Sequence, residues 1–93
     1  MQKPGCSHLA QLDVNNLKVA KAHECEECVQ TGDRWVHLRT CQECGVTLCC
    51  DSSPNKHASK HARSHGHPVI TSAESGPREQ WAWCFEDDEM LRY

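Results

Sequence analysis

The stretch from Cys41 to Pro68 reads CQECGVTLCCDSSPNKHASKHARSHGHP and holds four cysteines and four histidines within 28 residues. Thiolate and imidazole are the side chains that most often bind zinc in proteins. Paired cysteines in a cytosolic chain indicate metal binding more often than disulfides, and a disulfide framework does not need histidines. The stretch therefore predicts a small domain held together by zinc.

Two Cys-x-x-Cys pairs, Cys25–Cys28 and Cys41–Cys44, have the spacing of zinc knuckles. Two intervening residues form a tight turn that brings both sulfurs to one ion, and Gly45 suits the positive φ that such a turn often needs. One pair alone would also fit a redox motif. Two pairs followed by histidines predict metal ligands.

A histidine recurs every four residues at His57, His61 and His65, so a helix would place all three on one face. The alternative is a solvated helix face, since lysines and an arginine lie between them. Because cysteines are near in the sequence, we interpret His57 and His61 as metal ligands. Ser53 as the cap and Pro54 at the first helical position predict where this helix begins.

The remaining segments predict short strands. Trp35–Thr40 alternates apolar and polar residues and would pair with Val46–Leu48 as a hairpin. Pro68–Thr71 and Trp81–Phe85 form a second candidate pair, with the aromatic side chains of the latter on one face. We therefore expect an α+β fold, a zinc-stabilised antiparallel sheet of four to five strands with one or two packed helices.

The length of 93 residues allows one domain, over residues 1–93, with a limited apolar core. A formal net charge of −3 and only a small basic patch on the candidate helix disfavour nucleic-acid binding, which depends on clustered positive charge. No stretch resembles a secretory signal or a transmembrane helix. We therefore expect a cytoplasmic protein without a membrane partner.

From Cys6 to about Asp87, the order of these residues resembles the UBP-type (ubiquitin-specific-protease type) zinc finger. The shared features are an N-terminal Cys-x-His, two Cys-x-x-Cys pairs, a further cysteine, three spaced histidines and a late Trp-Cys. The stretch CCDSSPNKH is most similar to compact prokaryote-like members. The resemblance implies a cross-braced domain with two zinc ions and room for a third.

Each ligand set that the resemblance implies joins residues from separate parts of the chain. The sets are Cys25, Cys28, Cys49 and His57; Cys41, Cys44, His61 and His67; and Cys6, His8, Cys84 and Asp87. In the third set, Asp87 stands where the family has a cysteine. A carboxylate is an acceptable but harder zinc ligand, so we expect a weaker site there. The alternative is that Asp87 belongs to a solvated acidic run and leaves this set incomplete.

The family often binds a free protein C-terminus, typically the Gly-Gly tail of ubiquitin, through aromatic side chains and an arginine. Trp83 and Phe85 match the aromatic positions, but Asp51 stands where ubiquitin binders have the arginine. A carboxylate there repels a carboxylate ligand and lacks the paired donors of a guanidinium. We therefore expect a protein-interaction module without ubiquitin-tail recognition. A negative rim of Asp51, Glu86 and Asp88 would favour a neutral or basic peptide.

Other interpretations stay open. A ubiquitin-like tail binder and a nucleic-acid-binding zinc module are alternative functions. Trp81, Trp83 and Phe85 form either a peptide groove or simply part of the core, and Arg78 would cancel any charge preference if it neutralised Asp51. A zinc hydrolase is the least favoured function, because it needs an open coordination position and a placed acid or base. We expect no enzyme.

Overall fold

The computed structural model describes residues 6–93, which form one sheet of five short strands and a few short helices. The helices are α1 (Ser7–Ala10), α2 (Cys28–Thr31), α3 (His57–His65) and a 3-10 helix at Pro77–Glu79. The strands are β1 (Leu38–Cys41), β2 (Thr47–Cys49), β3 (Val69–Ser72), β4 (Trp81–Cys84) and β5 (Glu89–Arg92). The expected α+β fold is confirmed. None of the helices in residues 6–93 has the length and apolar content needed to cross a membrane.

The sheet is antiparallel throughout, with the strand order β2-β1-β3-β4-β5. Both predicted strand pairs are present, since β1 pairs with β2 and β3 pairs with β4. Strand β5 is an addition to the predicted pairs. It follows an acidic turn and pairs with β4, so it forms one outer edge of the sheet.

Helix α3 begins at His57, not at Pro54 as the sequence predicts. Ser53 does not cap the helix, because its side-chain oxygen accepts a hydrogen bond from the Val36 amide at 2.8 Å. Lys56 precedes the helix in the left-handed conformation, with φ of 49°, and Gly66 ends it with φ of 65°. The segment before α3 is therefore tied to the start of the sheet and delivers His57 beside the end of β2.

The apolar core is small and contains the cysteines. Seven of the fifteen buried apolar residues are cysteines, and the largest of the others are leucines and one isoleucine. One cluster joins Leu38, Leu48 and Ala58 to the first knuckle, and the partly buried Trp35 packs against it. A second cluster lies under α1 around Leu9. Because the core and the metal-capable side chains coincide, the packing of the domain depends on what its sulfurs bind.

Candidate metal centres

The structure gathers twelve side chains into three groups of four, and these are the three ligand sets that the resemblance implies. Within each group, the candidate ligand atoms all lie within 4.8 Å of one another. A zinc tetrahedron, with bonds of about 2.3 Å to sulfur and about 2.0 Å to nitrogen, has S–N edges of about 3.5 Å and S–S edges of about 3.8 Å. These edge lengths test whether each group fits the ion.

The knuckle site consists of Cys25, Cys28, Cys49 and His57. His57 Nδ1 lies 3.4 Å from the sulfur of Cys25, 3.4 Å from that of Cys28 and 3.5 Å from that of Cys49. The sulfurs of Cys28 and Cys49 are 3.9 Å apart. All four separations are those of a zinc tetrahedron, so this group fits zinc closely.

Local structure explains why the knuckle site is so regular. Cys25 and Cys28 belong to the turn that opens α2, and the Cys28 amide donates to the Cys25 sulfur at 3.4 Å. Cys49 ends β2, and the amide of His57, the first residue of α3, donates to its sulfur at 3.2 Å. Burial raises the pKa of Cys28 to about 12, and a hydrogen bond with Cys25 adds to the shift. An ion entering this site must therefore displace a firmly held proton.

The hairpin site consists of Cys41, Cys44, His61 and His67. The two cysteines flank the β1–β2 turn, where Gly45 adopts the expected positive φ of 83°. His61 Nε2 lies 3.4 Å from the Cys44 sulfur and 3.2 Å from His67 Nδ1, which is itself 3.7 Å from the Cys41 sulfur. These distances again fit a tetrahedron.

Helix α3 connects these two sites, because His57 and His61 lie one helical turn apart on its face. Burial lowers the pKa of His61, and the neighbouring rings of His65 and His67 lower it further. A neutral imidazole is the form that binds metal. His65 is exposed and stacks on His61, with ring centroids 4.6 Å apart, so it lies beside the hairpin site without belonging to the group of four.

The terminal site consists of Cys6, His8, Cys84 and Asp87. His8 Nδ1 lies 3.7 Å from the Cys6 sulfur, 3.6 Å from the Cys84 sulfur and 3.1 Å from Asp87 Oδ2. The Cys6 sulfur is only 2.8 Å from Asp87 Oδ2, shorter than the S–O edge of about 3.5 Å in a zinc tetrahedron. This contact is a hydrogen bond from the thiol to the carboxylate, so the ligands would have to move slightly apart to hold an ion.

Acidic side chains surround the terminal site. Hydrogen bonds from Cys6 and His8 lower the pKa of Asp87, so the exposed carboxylate is negatively charged at neutral pH. Burial raises the pKa of Cys6 to about 11, and the hydrogen bond to Asp87 adds to this. Glu89 Oε2 accepts a hydrogen bond from the Cys6 amide at 2.9 Å, and Glu86 Oε2 lies 3.6 Å from His8 Nε2. The fit to zinc is looser here, but the donor types are acceptable.

All eight cysteines fall within residues 6–93, and the structure has every one of them as a free thiol. Seven belong to the three sites. The remaining one, Cys50, is 5% exposed and lines a groove next to α3. Each group offers four candidate protein ligands, which is the number that a closed, structural zinc site uses.

The aromatic groove has a volume of about 310 Å³. Its main lining residues are Trp81, Trp83, Phe85, Met90, Arg39 and Asp51. The candidate groove residues from the sequence, Trp83, Phe85 and Asp51, therefore lie together. The three aromatic side chains are partly buried, so they pack on the sheet while keeping one side open to solvent.

Arg39 is a groove residue that the sequence reasoning missed. Its guanidinium carbon lies 4.6 Å from the centroid of the Trp81 ring, and Nη1 donates to the Leu38 carbonyl at 3.0 Å. The strand order places β1 two strands from β4, with β3 between them, which brings Arg39 to the face of the tryptophans. The alternation within β1 was the only sequence signal for the position of Arg39, because the strand order could not be predicted from the sequence.

The rim of the groove differs from the uniformly negative rim that the sequence predicts. Asp51 lines the groove together with the cation Arg39, and Arg78 is not among the lining residues. Glu86 lines a neighbouring cleft of about 230 Å³ on the other side of Phe85, where Arg63 accompanies it. Of the three predicted acids, Asp51 is thus the one in the groove wall.

Comparisons with known proteins agree with this geometry. Residues 25–93 match the family described as "Zn-finger in ubiquitin-hydrolases and other protein". The solution NMR structure of protein RPA1320 from Rhodopseudomonas palustris is 42% identical in sequence and superposes with a TM-score of 0.79. That match covers 98% of this chain and 84% of the other. A comparison with curated proteins gives no match.

Proposed function

Because the chain belongs to the family of zinc fingers in ubiquitin hydrolases and other proteins, we propose that it is a zinc-stabilised module that binds a neutral or basic peptide segment of a protein partner. The aromatic groove is the binding site in this proposal. The observation that carries it is the presence of Asp51 in the wall of a groove built from partly buried aromatic side chains.

Zinc would be held by the knuckle, hairpin and terminal sites, and its chemical contribution is to link segments that are distant in the sequence. The knuckle site ties the turn before α2 to β2 and α3, and the hairpin site ties the β1–β2 turn to the same helix. The groove lies against α3 through Ala58, so the two sites fix the wall opposite β4. The closed ligand sets favour this structural role over hydrolysis.

The aromatic side chains have the exposure of a binding surface. Ile70 is 3% exposed at the base of the groove, whereas Met90 at its outer side is 49% exposed. Partly desolvated aromatic rings next to a few polar groups are the usual composition of peptide-binding sites. A purely core role for these rings would bury them on both sides.

Charge argues against a C-terminal carboxylate as the ligand. Asp51 would repel it, and the guanidinium of Arg39 is already engaged by the Trp81 ring and the Leu38 carbonyl. A lysine or arginine side chain would instead find Asp51 and the open faces of Trp83 and Phe85, which attract cations. A neutral segment would avoid both charges.

The test is an NMR titration of zinc-loaded protein that follows the indole N–H signals. An acetylated and amidated peptide containing Lys-Leu-Arg should shift the Trp83 signal, and the Trp83→Ala variant should bind it at least about tenfold more weakly. A peptide ending in Leu-Arg-Gly-Gly with a free carboxylate should bind with a Kd above about 100 µM.

Variants at Asp51 isolate its charge. Asp51→Arg should strengthen binding of the Leu-Arg-Gly-Gly peptide. Asp51→Asn is the matched control: it removes the repulsion without adding a positive charge, so it should strengthen binding less than Asp51→Arg does. Low-micromolar binding of this peptide to the unmodified protein would contradict the proposal. So would equal binding of the Lys-Leu-Arg peptide by the protein and by its Trp83→Ala variant.

A further inference from the structure

In the part of the chain that the structure describes, strand β5 is an outer edge of the sheet beside the aromatic groove. Among the strands that residues 6–93 form, β5 pairs with β4 alone. The opposite edge is occupied: the Glu26 amide donates to the Thr47 carbonyl at 2.9 Å, and the Thr47 amide donates to Glu26 Oε2 at 2.8 Å. The first knuckle therefore closes the β2 edge, and within residues 6–93 no further strand pairs with β5.

The register of β5 decides which backbone groups face outward. The Tyr93 amide donates to the Gln80 carbonyl at 3.0 Å, and hydrogen-bonded positions alternate along an antiparallel pair. Leu91, paired with Ala82, is therefore the next position that bonds to β4. It follows that the N–H and C=O groups of Met90 and Arg92 point away from β4 and form the open side of the edge.

The side chains of the same two residues lie on the face of the groove. Met90 is opposite Trp83 and Arg92 is opposite Trp81 in the β4–β5 pairing. Met90 also lines the aromatic groove. A strand added at this edge would place one side chain next to Met90, in line with the groove, while its backbone bonded to Met90 and Arg92.

The two ends of β5 carry opposite charges. Arg92 is exposed at the C-terminal end, and the turn before the strand carries the exposed acids Glu86 and Asp88 beside the terminal-site residue Asp87. Opposite charges directly across a strand pair are favourable, and like charges are unfavourable. An antiparallel partner would therefore have an acidic residue opposite Arg92, an apolar one opposite Met90 and a basic one near the turn.

We propose that the β5 edge binds an extended peptide as a sixth, antiparallel strand, with the pattern acidic-x-apolar-x-basic read from the N-terminus of the peptide. This rests on the proposed function, to which it adds the binding mode and the register. Backbone hydrogen bonds at a sheet edge supply affinity in such complexes, and alternate side chains supply specificity. Met90 and the groove contact the apolar side chain of the peptide, and the charges at the two ends of β5 determine the direction in which the peptide binds.

The first experiment compares two capped peptides on zinc-loaded, 15N-labelled protein: Ser-Asp-Ser-Leu-Ser-Lys-Ser and its reverse, Ser-Lys-Ser-Leu-Ser-Asp-Ser. The first should bind at least about threefold more tightly, because the reverse places like charges together in the antiparallel direction. Its binding should shift the amide signals of Met90 and Arg92 and protect both amides from hydrogen exchange. Equal binding of the two peptides, no binding of either, or unaffected edge amides would overturn the proposal.

The second experiment removes one outward donor. Proline is tolerated at edge positions whose N–H faces solvent, so Arg92→Pro should keep the fold and the zinc content while losing a backbone hydrogen bond. Arg92→Ala is the matched control, since it removes the same charge but keeps the N–H. The proline variant should bind the first peptide about fivefold more weakly than the alanine variant, the effect of one hydrogen bond. Equal binding by the two would overturn strand addition.

The Trp83→Ala variant distinguishes an error in the proposed strand addition from an error in the proposed groove function. If this variant loses peptide binding while Arg92→Pro behaves like Arg92→Ala, the groove binds peptide and strand addition is wrong. If Arg92→Pro alone loses binding, strand addition holds and the groove function is wrong. A concentration-dependent dimer in sedimentation experiments that disappears in Arg92→Pro would show a second copy of this chain on the edge, and would also overturn the proposal.

Discussion

The Asp87 carboxylate lies 2.8 Å from the Cys6 sulfur, although these residues are 81 positions apart in the sequence. A second carboxylate, that of Glu89, accepts a hydrogen bond from the Cys6 amide at 2.9 Å. Asp87 in the turn between β4 and β5 and Glu89 at the start of β5 thus both hold the segment around α1. If an ion binds here, Asp87 offers it an oxygen where the resemblance implies a cysteine, and oxygen binds zinc less strongly than thiolate does.

Replacing Asp87 by cysteine should strengthen zinc binding at the terminal site. A thiolate is the softer ligand, and removing the short hydrogen bond frees Cys6 to move to its place in the tetrahedron, so we expect a gain of about tenfold or more. Asp87→Asn should lose the ion from this site. Native mass spectrometry during stepwise addition of a zinc chelator measures the number of ions retained.

The control for these variants is Asp88→Asn, which removes a neighbouring acid that is not a candidate ligand and should leave the order of zinc release unchanged. If Asp87→Cys released its most weakly held ion at the same chelator concentration as the unmodified protein, the role assigned to Asp87 would be wrong.

The two Cys-x-x-Cys pairs and the histidine repeat were readable as candidate ligands because their signals are local. The Cys25–Cys28 spacing is set within one turn of chain, and the repeat from His57 to His61 is set by one turn of helix. The start of α3 was not readable, since Ser53 has a good local capping signal but its oxygen is taken by the Val36 amide. A tertiary contact overrode the local preference.

The residues of the groove could be predicted only in part from the sequence, for a related reason. The alternation of β4 predicts that Trp81 and Trp83 share a face, but the position of Arg39 depends on the order of β1, β3 and β4 in the sheet. Strand order is decided by packing over the whole domain and leaves no short pattern in the sequence. The short strand β5 is similar, because its four residues, Glu-Met-Leu-Arg, show no alternation of apolar and polar residues, and they pair with β4 in the structure.

Removal of zinc should lower the melting temperature sharply. The core contains few large aliphatic side chains, and each structural zinc site contributes an apparent binding free energy of about 10 kcal/mol or more, comparable with the stability of a whole domain. Circular dichroism during heating, before and after dialysis against a chelator, measures the effect. An unchanged melting temperature after complete removal of zinc would contradict it.

Two histidine variants test which site makes the stability of the domain depend on zinc. His57→Ala removes the nitrogen that lies within 3.5 Å of three sulfurs, so it should lose one ion and lower the melting temperature sharply. His65→Ala, the matched control on the same helix, removes an exposed ring and should keep every ion. Similar losses in both variants would show that the general helix surface, and not the knuckle site, determines stability.

Zinc binding should release protons, and zinc affinity should rise with pH. Burial raises the pKa of Cys28 to about 12 and that of Cys6 to about 11, so both thiols are protonated at neutral pH in the metal-free protein. An indicator dye in weakly buffered solution measures the protons released on adding zinc at pH 7. No release would mean that zinc binds elsewhere.

The stability of the metal-free protein and that of the zinc-loaded protein should change with pH in opposite directions. In the metal-free protein, the folded-state pKa of Cys28 exceeds the ordinary value of 9.0, so its contribution to stability is complete below pH 9 and is lost as pH rises toward 12. In the zinc-loaded protein, the sulfurs are thiolates, and stability is lost as pH falls because protons compete with zinc. Unfolding curves of the metal-free form as pH rises above 9, and of the zinc-loaded form as pH falls, measure the two slopes. Slopes of the same sign in both forms would contradict the assignment.

Removing the guanidinium from the groove should increase binding of cationic peptides. Arg39→Ala takes away a positive charge that lies 4.6 Å from the Trp81 ring centroid and frees that ring for the ligand. We expect binding of the Lys-Leu-Arg peptide to improve about threefold and the free energy of unfolding to fall by about 0.5–1 kcal/mol, the size of an exposed cation–π contact. Arg39→Lys keeps the charge and is the matched control, with little change in binding. Weaker binding by Arg39→Ala would mean that Arg39 itself contacts the peptide, and an acidic ligand would then fit the groove better than a basic one.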